Sequence, residues 1–212
     1  HCKILSLITK NINMIDYINT QVYYLFYSNR IDFLNPFFIF ITSFGGVIIS
    51  VLLTILVSIF LLKNKQNKYA YFLVANVFIG QILTFILKYL VNSPRPPILN
   101  ALVIETDPSF PSGHSFITIT LYFSLLIILN RNVFKFSRIW KYILRGIIIF
   151  FIIMIPFSRL YLGVHWMTDV VVSIFLGLLQ TLILVCIFKI RLPKDDKMKL
   201  LIDKHLNKQL NK

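Results

Sequence analysis

The chain has 212 residues, 57% hydrophobic and only 14% charged, with a mean hydropathy of +0.77. A soluble domain is about half apolar and a quarter charged, so this composition excludes an ordinary soluble protein and indicates an integral membrane one. The net charge of +14 has two ordinary causes, nucleic-acid binding or cytoplasmic loops beside anionic lipid, and where the charges sit decides for lipid and against nucleic acid.

In chain order, Ile8, Ile12, Ile15, Ile18, Val22 and Phe26 recur at helical spacing, with Lys10, Asn11, Asn13, Asp16 and Asn19 between them. That pattern predicts an amphipathic helix over 4–27, in an interfacial segment 1–32, the alternative being a weakly hydrophobic first span. The apolar run 33–62 is too long for one straight crossing, and Ser43-Phe44-Gly45-Gly46 is expected to bend it into a short lead-in helix and a span over 47–62. Four further runs, 69–90, 115–129, 142–157 and 168–188, approach the about 20 apolar residues a span requires. The fold class is therefore all-α: a polytopic transmembrane helical bundle of five to six membrane helices plus the N-terminal interfacial helix. Its membrane domain is 33–190 and a basic cytoplasmic tail follows at 191–212. No internal repeat or second domain is evident. The chain opens on His1, so its native start is read as trimmed or replaced, and no cleavable signal peptide is evident. Cys2 and Cys186 are too differently placed to pair, which leaves Cys186 a buried, inert thiol in the last apolar run.

Most of the 22 basic residues form three clusters. They are Lys63, Lys65 and Lys68; Arg131, Lys135, Arg138, Lys141 and Arg145; and eight from Lys189 to the end of the tail. With each span crossing once, all three fall on one side, which the positive-inside rule makes cytoplasmic. Lys88, Arg95 and Arg159 then face outward, where topology disfavours them, and cations kept there usually have a function.

Those three cations belong to three motifs at span ends. Lys88 is followed by Arg95-Pro96; Pro111-Ser112-Gly113-His114 opens a span; Ser158-Arg159 precedes His165 and Asp169. Of the four histidines, two lie in the terminal segments and the other two lie here. Cations gathered around two imidazoles suit a phosphate group, whose transfer spreads charge over its non-bridging oxygens. Lys88, Arg95 and Arg159 balance that charge, the arginines by two-pronged hydrogen bonds. Ser112 is read as a helix N-cap and phosphate donor beside the free N–H groups of a helix start, in preference to a nucleophile, for which no neighbouring base is evident. His165 and Asp169 are four apart on one helical face. Asp169 is expected to hold one ring nitrogen of His165 as N–H so that the other attacks phosphorus, while His114 protonates the leaving alkoxide. Taken singly, each motif has a duller reading: a snorkelling lysine, a loop, a cap and turn, a structural His–Asp pair. Their joint occurrence carries the assignment.

The three motifs together resemble the signature of the type 2 phosphatidic acid phosphatase superfamily, the lipid phosphate phosphatases: Lys-x6-Arg-Pro, Pro-Ser-Gly-His and Ser-Arg-x5-His-x3-Asp. The resemblance implies a helical bundle that dephosphorylates without metal or cofactor through a phosphohistidine. It implies phosphate contacts from Lys88, Arg95, Ser112, Gly113 and Arg159, His114 as acid, and His165 as nucleophile supported by Asp169. Many bacterial members have six spans, and a clear first one is missing here.

Between 33 and 190 the only carboxylates are Glu105, Asp107 and Asp169. The first two are read as solvated loop residues or, failing that, headgroup selectors, a poor basis for a two-metal site. The expected activity is phosphate release from a lipid monophosphate or pyrophosphate at the outer leaflet of a bacterial cytoplasmic membrane. The expected partners are the lipid phosphate substrate and the bilayer, with the oligomeric state open. Phosphotransfer to another acceptor, vanadate-dependent halide oxidation and anion transport are the competing functions, of which transport does not need His114, His165 and Asp169.

Overall fold

The computed structural model describes residues 2–190 apart from 132, 134 and 135, with side chains from residue 14 onward. The tail 191–212, with all of its basic cluster but Lys189, and Lys135 lie outside the described residues. Helix α1 runs Cys2–Ser28, α2 Asn35–Ser43, α3 Val47–Lys63, α4 Asn67–Val91, α5 Gly113–Asn130, α6 Arg138–Tyr161 and α7 Met167–Ile187. No strand forms among the described residues. Helices α4 to α7 are each long and apolar enough to cross a membrane; α2 and α3, bent by 48° at the break between them, make a fifth crossing if taken as one span.

The break falls at Phe44-Gly45-Gly46, where the bend is expected, and the packing requires glycine there. A Cβ at Gly45 would lie 2.5 Å from Ile155 Cγ2 and 3.4 Å from two carbons of His114. The Tyr122 hydroxyl donates to the Phe44 carbonyl at 2.9 Å, satisfying a backbone group that the break releases. The bend thus lets α2 and α3 approach the site closely from one side.

Polarity is inverted relative to a soluble bundle. Leu56, Phe78, Phe85, Ile153 and Phe175 are exposed, as is Cys186, which was expected to be buried, while Ser50, Thr54, Asn76, Ser124, Gln180 and Thr181 are buried. Apolar exterior surface suits lipid, and interhelical hydrogen bonds hold helices that lipid gives no hydrophobic reason to associate. Asn76 is the hub: its side-chain Nδ2 lies 3.0 Å from Thr120 O, 2.7 Å from Ser124 Oγ and 2.9 Å from Thr181 Oγ1, its two hydrogens shared among the three acceptors. Gln180 Nε2 donates back to Asn76 Oδ1 at 2.8 Å. The network ties α4, α5 and α7 together beside a single π turn at Ile119–Phe123 within α5.

Helix α6 passes through Pro156, so it outlasts the expected span 142–157 and carries Arg159 in its last turn. Proline removes one N–H from the ladder, a loss that packed transmembrane helices tolerate. The helix stops at Tyr161, and Gly163 follows at φ +73, a conformation that favours glycine. Arg30, just beyond α1, lies against Gly163 and donates to the carbonyls of Tyr161 at 2.9 Å and Asn100.

α1 packs on α6 and α7. Asn19 donates to Thr168 Oγ1 at 3.0 Å and accepts the Thr168 N–H at 3.1 Å, and Tyr23 lies 5.8 Å from Trp166 ring to ring. The Lys63–Lys68 turn, Arg131 at the end of α5 and Arg138 at the start of α6 lie at one end of the bundle, where Lys68 reaches Lys189 O at 2.8 Å. The three motifs lie at the other end.

Candidate active site

Four helix ends and two loops build the site. α4 ends after Lys88 because Asn92 takes a left-handed conformation and Pro94 cannot continue a helix. The loop 92–112 carries Arg95 and returns across the bundle end to Ser112, immediately before α5. α6 supplies Arg159, the turn after it His165, and the first turn of α7 Asp169.

Lys88, Arg95, Gly113, His114 and His165 line one cavity of about 270 Å³, with Glu105 and Asp107 from the loop. Gly45 and Val47 bring the α2–α3 break to its wall; Gln81, Thr84, Phe85 and Ile117 extend it along α4 and α5. Arg159 lies behind Glu105, only 1% exposed, donating to Glu105 and to Thr42 Oγ1 at 2.9 Å. Ser112 is fully buried at the start of α5. Its side chain bonds the Ser115 hydroxyl at 2.9 Å and makes no cap to a backbone N–H, so the expected side-chain cap is not formed. The Ser112 carbonyl still accepts the first helical N–H, from Phe116 at 3.0 Å.

Each cation is held. Arg95 donates through Nε to the Asp107 carbonyl, through Nη2 to Asp107 Oδ1 and through Nη1 to the Val164 carbonyl, each at 2.7 Å. Its Nη1 also lies 3.4 Å from His165 Nε2. Lys88 Nζ reaches Asp107 Oδ2 at 2.9 Å and the Pro108 carbonyl at 2.5 Å. Glu105 pairs with Arg159 and lies 3.9 Å from Arg95. Glu105 and Asp107 are therefore not the solvated loop residues expected: the loop folds back, and their carboxylates sit among all three cations. Partial burial would raise the Asp107 carboxyl, but Lys88 and Arg95 outweigh it and hold it below the usual carboxylate range.

His165 is buried, 3% exposed. Desolvation holds its imidazole well below the ordinary histidine range, reinforced by the positive charges of Arg159, Arg95 and Lys88. A neutral ring with a free nitrogen in a cationic pocket has the chemistry to attack an anion that the pocket attracts. His165 Nδ1 and Asp169 Oδ2 are 3.6 Å apart, too far for the direct hydrogen bond expected between them. Asp169 Oδ2 instead accepts from the Ser109 hydroxyl at 2.6 Å and the Trp166 N–H at 3.0 Å, and Ser109 Oγ lies 3.4 Å from His165 Nδ1. Ser109 escaped the sequence reading; its one signal was a hydroxyl three residues before Ser112, on the same loop. Among the described residues, no group of three or more His, Cys, Asp or Glu is placed to share a metal ion.

Residues 68–192 match the PAP2 superfamily. An undecaprenyl-diphosphatase of Sulfolobus acidocaldarius is 32% identical over 164 residues, 75% of this chain and 73% of that protein. A phosphatidylglycerophosphatase B of Bacillus subtilis is 37% identical over 101 residues, 47% of this chain and 48% of its own length. The crystal structure of a transmembrane PAP2-type phosphatidylglycerolphosphate phosphatase from Bacillus subtilis superposes with a TM-score of 0.74 at 25% identity, covering 84% of this chain and 89% of that one. LpxE of Aquifex aeolicus superposes at 0.62 and 25% identity, over 78% and 93% respectively.

Proposed function

The chain belongs to the PAP2 superfamily, and from that premise we propose that it is an integral-membrane lipid phosphate phosphatase working through a phosphohistidine on His165, without metal. The observation that carries the reading is one cavity holding Lys88, Arg95 and both imidazoles, with Arg159 one carboxylate away. The names of the relatives, which act on an undecaprenyl diphosphate and a phosphatidylglycerophosphate, support a substrate with a mono- or diphosphate on a long apolar tail.

In the first step the lone pair of His165 Nε2 forms a P–N bond as the bond from phosphorus to the lipid-side oxygen breaks. His114 gives that oxygen its proton, so the lipid departs as an alcohol from a monophosphate or as a lipid monophosphate from a diphosphate. In the second step water attacks phosphorus, its proton passes to His114, and the P–N electron pair returns to nitrogen, releasing inorganic phosphate. Lys88, Arg95 and Arg159 stabilise the charge on the non-bridging oxygens throughout, once phosphate has taken the place of the two loop carboxylates. The exposed apolar flank of α4 and the walls Val47, Phe85 and Ile117 suit a tail lying in the bilayer. The basic turns at the opposite end of the bundle, by the positive-inside rule, support a site on the outer face.

The test is phosphate release from a panel of lipid mono- and diphosphates in excess chelator, by the parent protein, His165→Ala and His114→Ala. Release by the parent, a loss of about 10²–10⁴-fold in His114→Ala and no turnover through a phosphohistidine in His165→Ala, which lacks the attacking nitrogen, is the expected result. Chelator-sensitive release, or hydrolysis surviving His165→Ala, contradicts it.

A further inference from the structure

Ser109 lies outside the three motifs, yet it is 0% exposed between the two residues that the motifs pair. Its N–H donates to the Ser93 carbonyl at 2.9 Å, joining the two ends of loop 92–112 and setting its position. Its hydroxyl lies 2.6 Å from Asp169 Oδ2 and 3.4 Å from His165 Nδ1, and the direct Nδ1 to Oδ2 separation is longer than either. A serine hydroxyl has one hydrogen to give and two lone pairs to offer. An ionised carboxylate can only accept, so the Ser109 hydrogen belongs to Asp169 and the oxygen faces His165 as an acceptor. An acceptor at Nδ1 requires Nδ1–H, and a neutral imidazole protonated at Nδ1 carries its lone pair on Nε2. Nε2 is the nitrogen beside Arg95.

We propose that Ser109 is a positioning residue for His165, its hydroxyl bridging Asp169 to Nδ1 and selecting the tautomer whose Nε2 attacks phosphorus. The proposal rests on His165 being the nucleophile. As the P–N bond forms, positive charge develops on the ring and the Nδ1–H bond to Ser109 Oγ shortens. The hydroxyl is already polarised by Asp169, so the carboxylate's charge acts on the ring through it. No proton moves along the chain: Nδ1 keeps its hydrogen, Ser109 keeps its own, and the leaving oxygen takes its proton from His114. Loop 92–112 therefore contributes to both halves of the site, cation-binding carboxylates at Glu105 and Asp107 and the nucleophile's orientation at Ser109.

The experiment measures, in detergent-solubilised full chain, the rapid-quench rate of histidine phosphorylation together with kcat and KM for parent, Ser109→Ala and Ser109→Thr. Ser109→Ala is expected to slow phosphorylation and kcat on the order of 10²-fold, less than the ~10⁴ lost when a triad carboxylate is neutralised, with KM within about twofold. Ser109→Thr keeps the hydroxyl and should recover most of the loss, which a purely structural serine would not require. Nitrogen-15 NMR of histidine-labelled parent protein reads the tautomer without any variant at 109, the His165 signal being the one missing in His165→Ala. Nδ1–H is expected; Nε2–H overturns the proposal even if Ser109→Ala fails to fold. A phosphorylated parent with an equally fast Ser109→Ala overturns the proposal alone. A parent that never becomes phosphorylated overturns the nucleophile assignment and the proposal with it.

Discussion

Burial and three cations act on the same ring at His165, and all push it toward neutrality. On the proposed mechanism the acid limb of kcat/KM reports protonation of His165, and it should therefore fall on the acid side of the ordinary imidazole range. Because His114, as the proposed acid, must be protonated at the same time, the full profile should be bell-shaped. A rate climbing without a maximum from acid to alkaline pH would contradict that division of roles. Stability carries the same signature. The unfolded chain binds a proton at this histidine that the folded protein refuses, so stability falls as pH drops through the imidazole range and rises as pH increases. Thermal unfolding across that range should show the slope, reduced in His165→Ala. At this scale much was legible in advance. Lys88, Arg95, His114, Arg159, His165 and Asp169 stand out because ionisable groups at the ends of apolar runs are rare and costly. Ser109 was not legible, because serine is cheap to place and its partners lie 56 and 60 positions away.

Loop 92–112 is the element on which expectation and structure differ most. Its sequence gives no periodicity, and Glu105 and Asp107 look like any loop acids until the chain is seen folding back over the cations. With both carboxylates engaged, a phosphate bound as proposed must displace them before it reaches Lys88 and Arg95. Asp107→Asn removes the charge that bridges those two residues. It is predicted to lower the inhibition constant of inorganic phosphate about tenfold, equivalent to about 1.4 kcal/mol. An unchanged or weaker phosphate affinity would show that the carboxylate does not compete with the anion. The α2–α3 break makes the opposite case, since Gly45-Gly46 in an overlong apolar run was readable as a bend. What the sequence could not show was Ile155 and His114 packed against Gly45. Gly45→Ala should therefore destabilise by about 1–3 kcal/mol through overpacking. It should also lower kcat by displacing His114; a variant with the parent's melting temperature and rate would refute that close contact.

Across the whole molecule, hydropathy located the helices that lipid must surround, within a few residues at each end. It could not reveal how they pair, because in lipid the pairing depends on polar contacts that cross the bundle. Asn76 is isolated within its own apolar helix, yet it joins α4 to α5 and α7. Asn76→Leu should cost about 1–3 kcal/mol, since it strips partners from several buried polar groups at once. A lower detergent melting temperature, with KM near the parent's in the surviving fraction, is the expected outcome. The same bundle brings residues as far apart in sequence as Lys88 and Asp169 to one end, and on that convergence the proposed chemistry depends. The most direct test is mass-spectrometric location of phosphate on protein quenched during turnover of a lipid phosphate in excess chelator. Acid-labile, base-stable phosphate on His165, absent from His165→Ala, is the predicted result. Phosphate on Ser112, or turnover with no phosphorylated residue at all, would contradict the account.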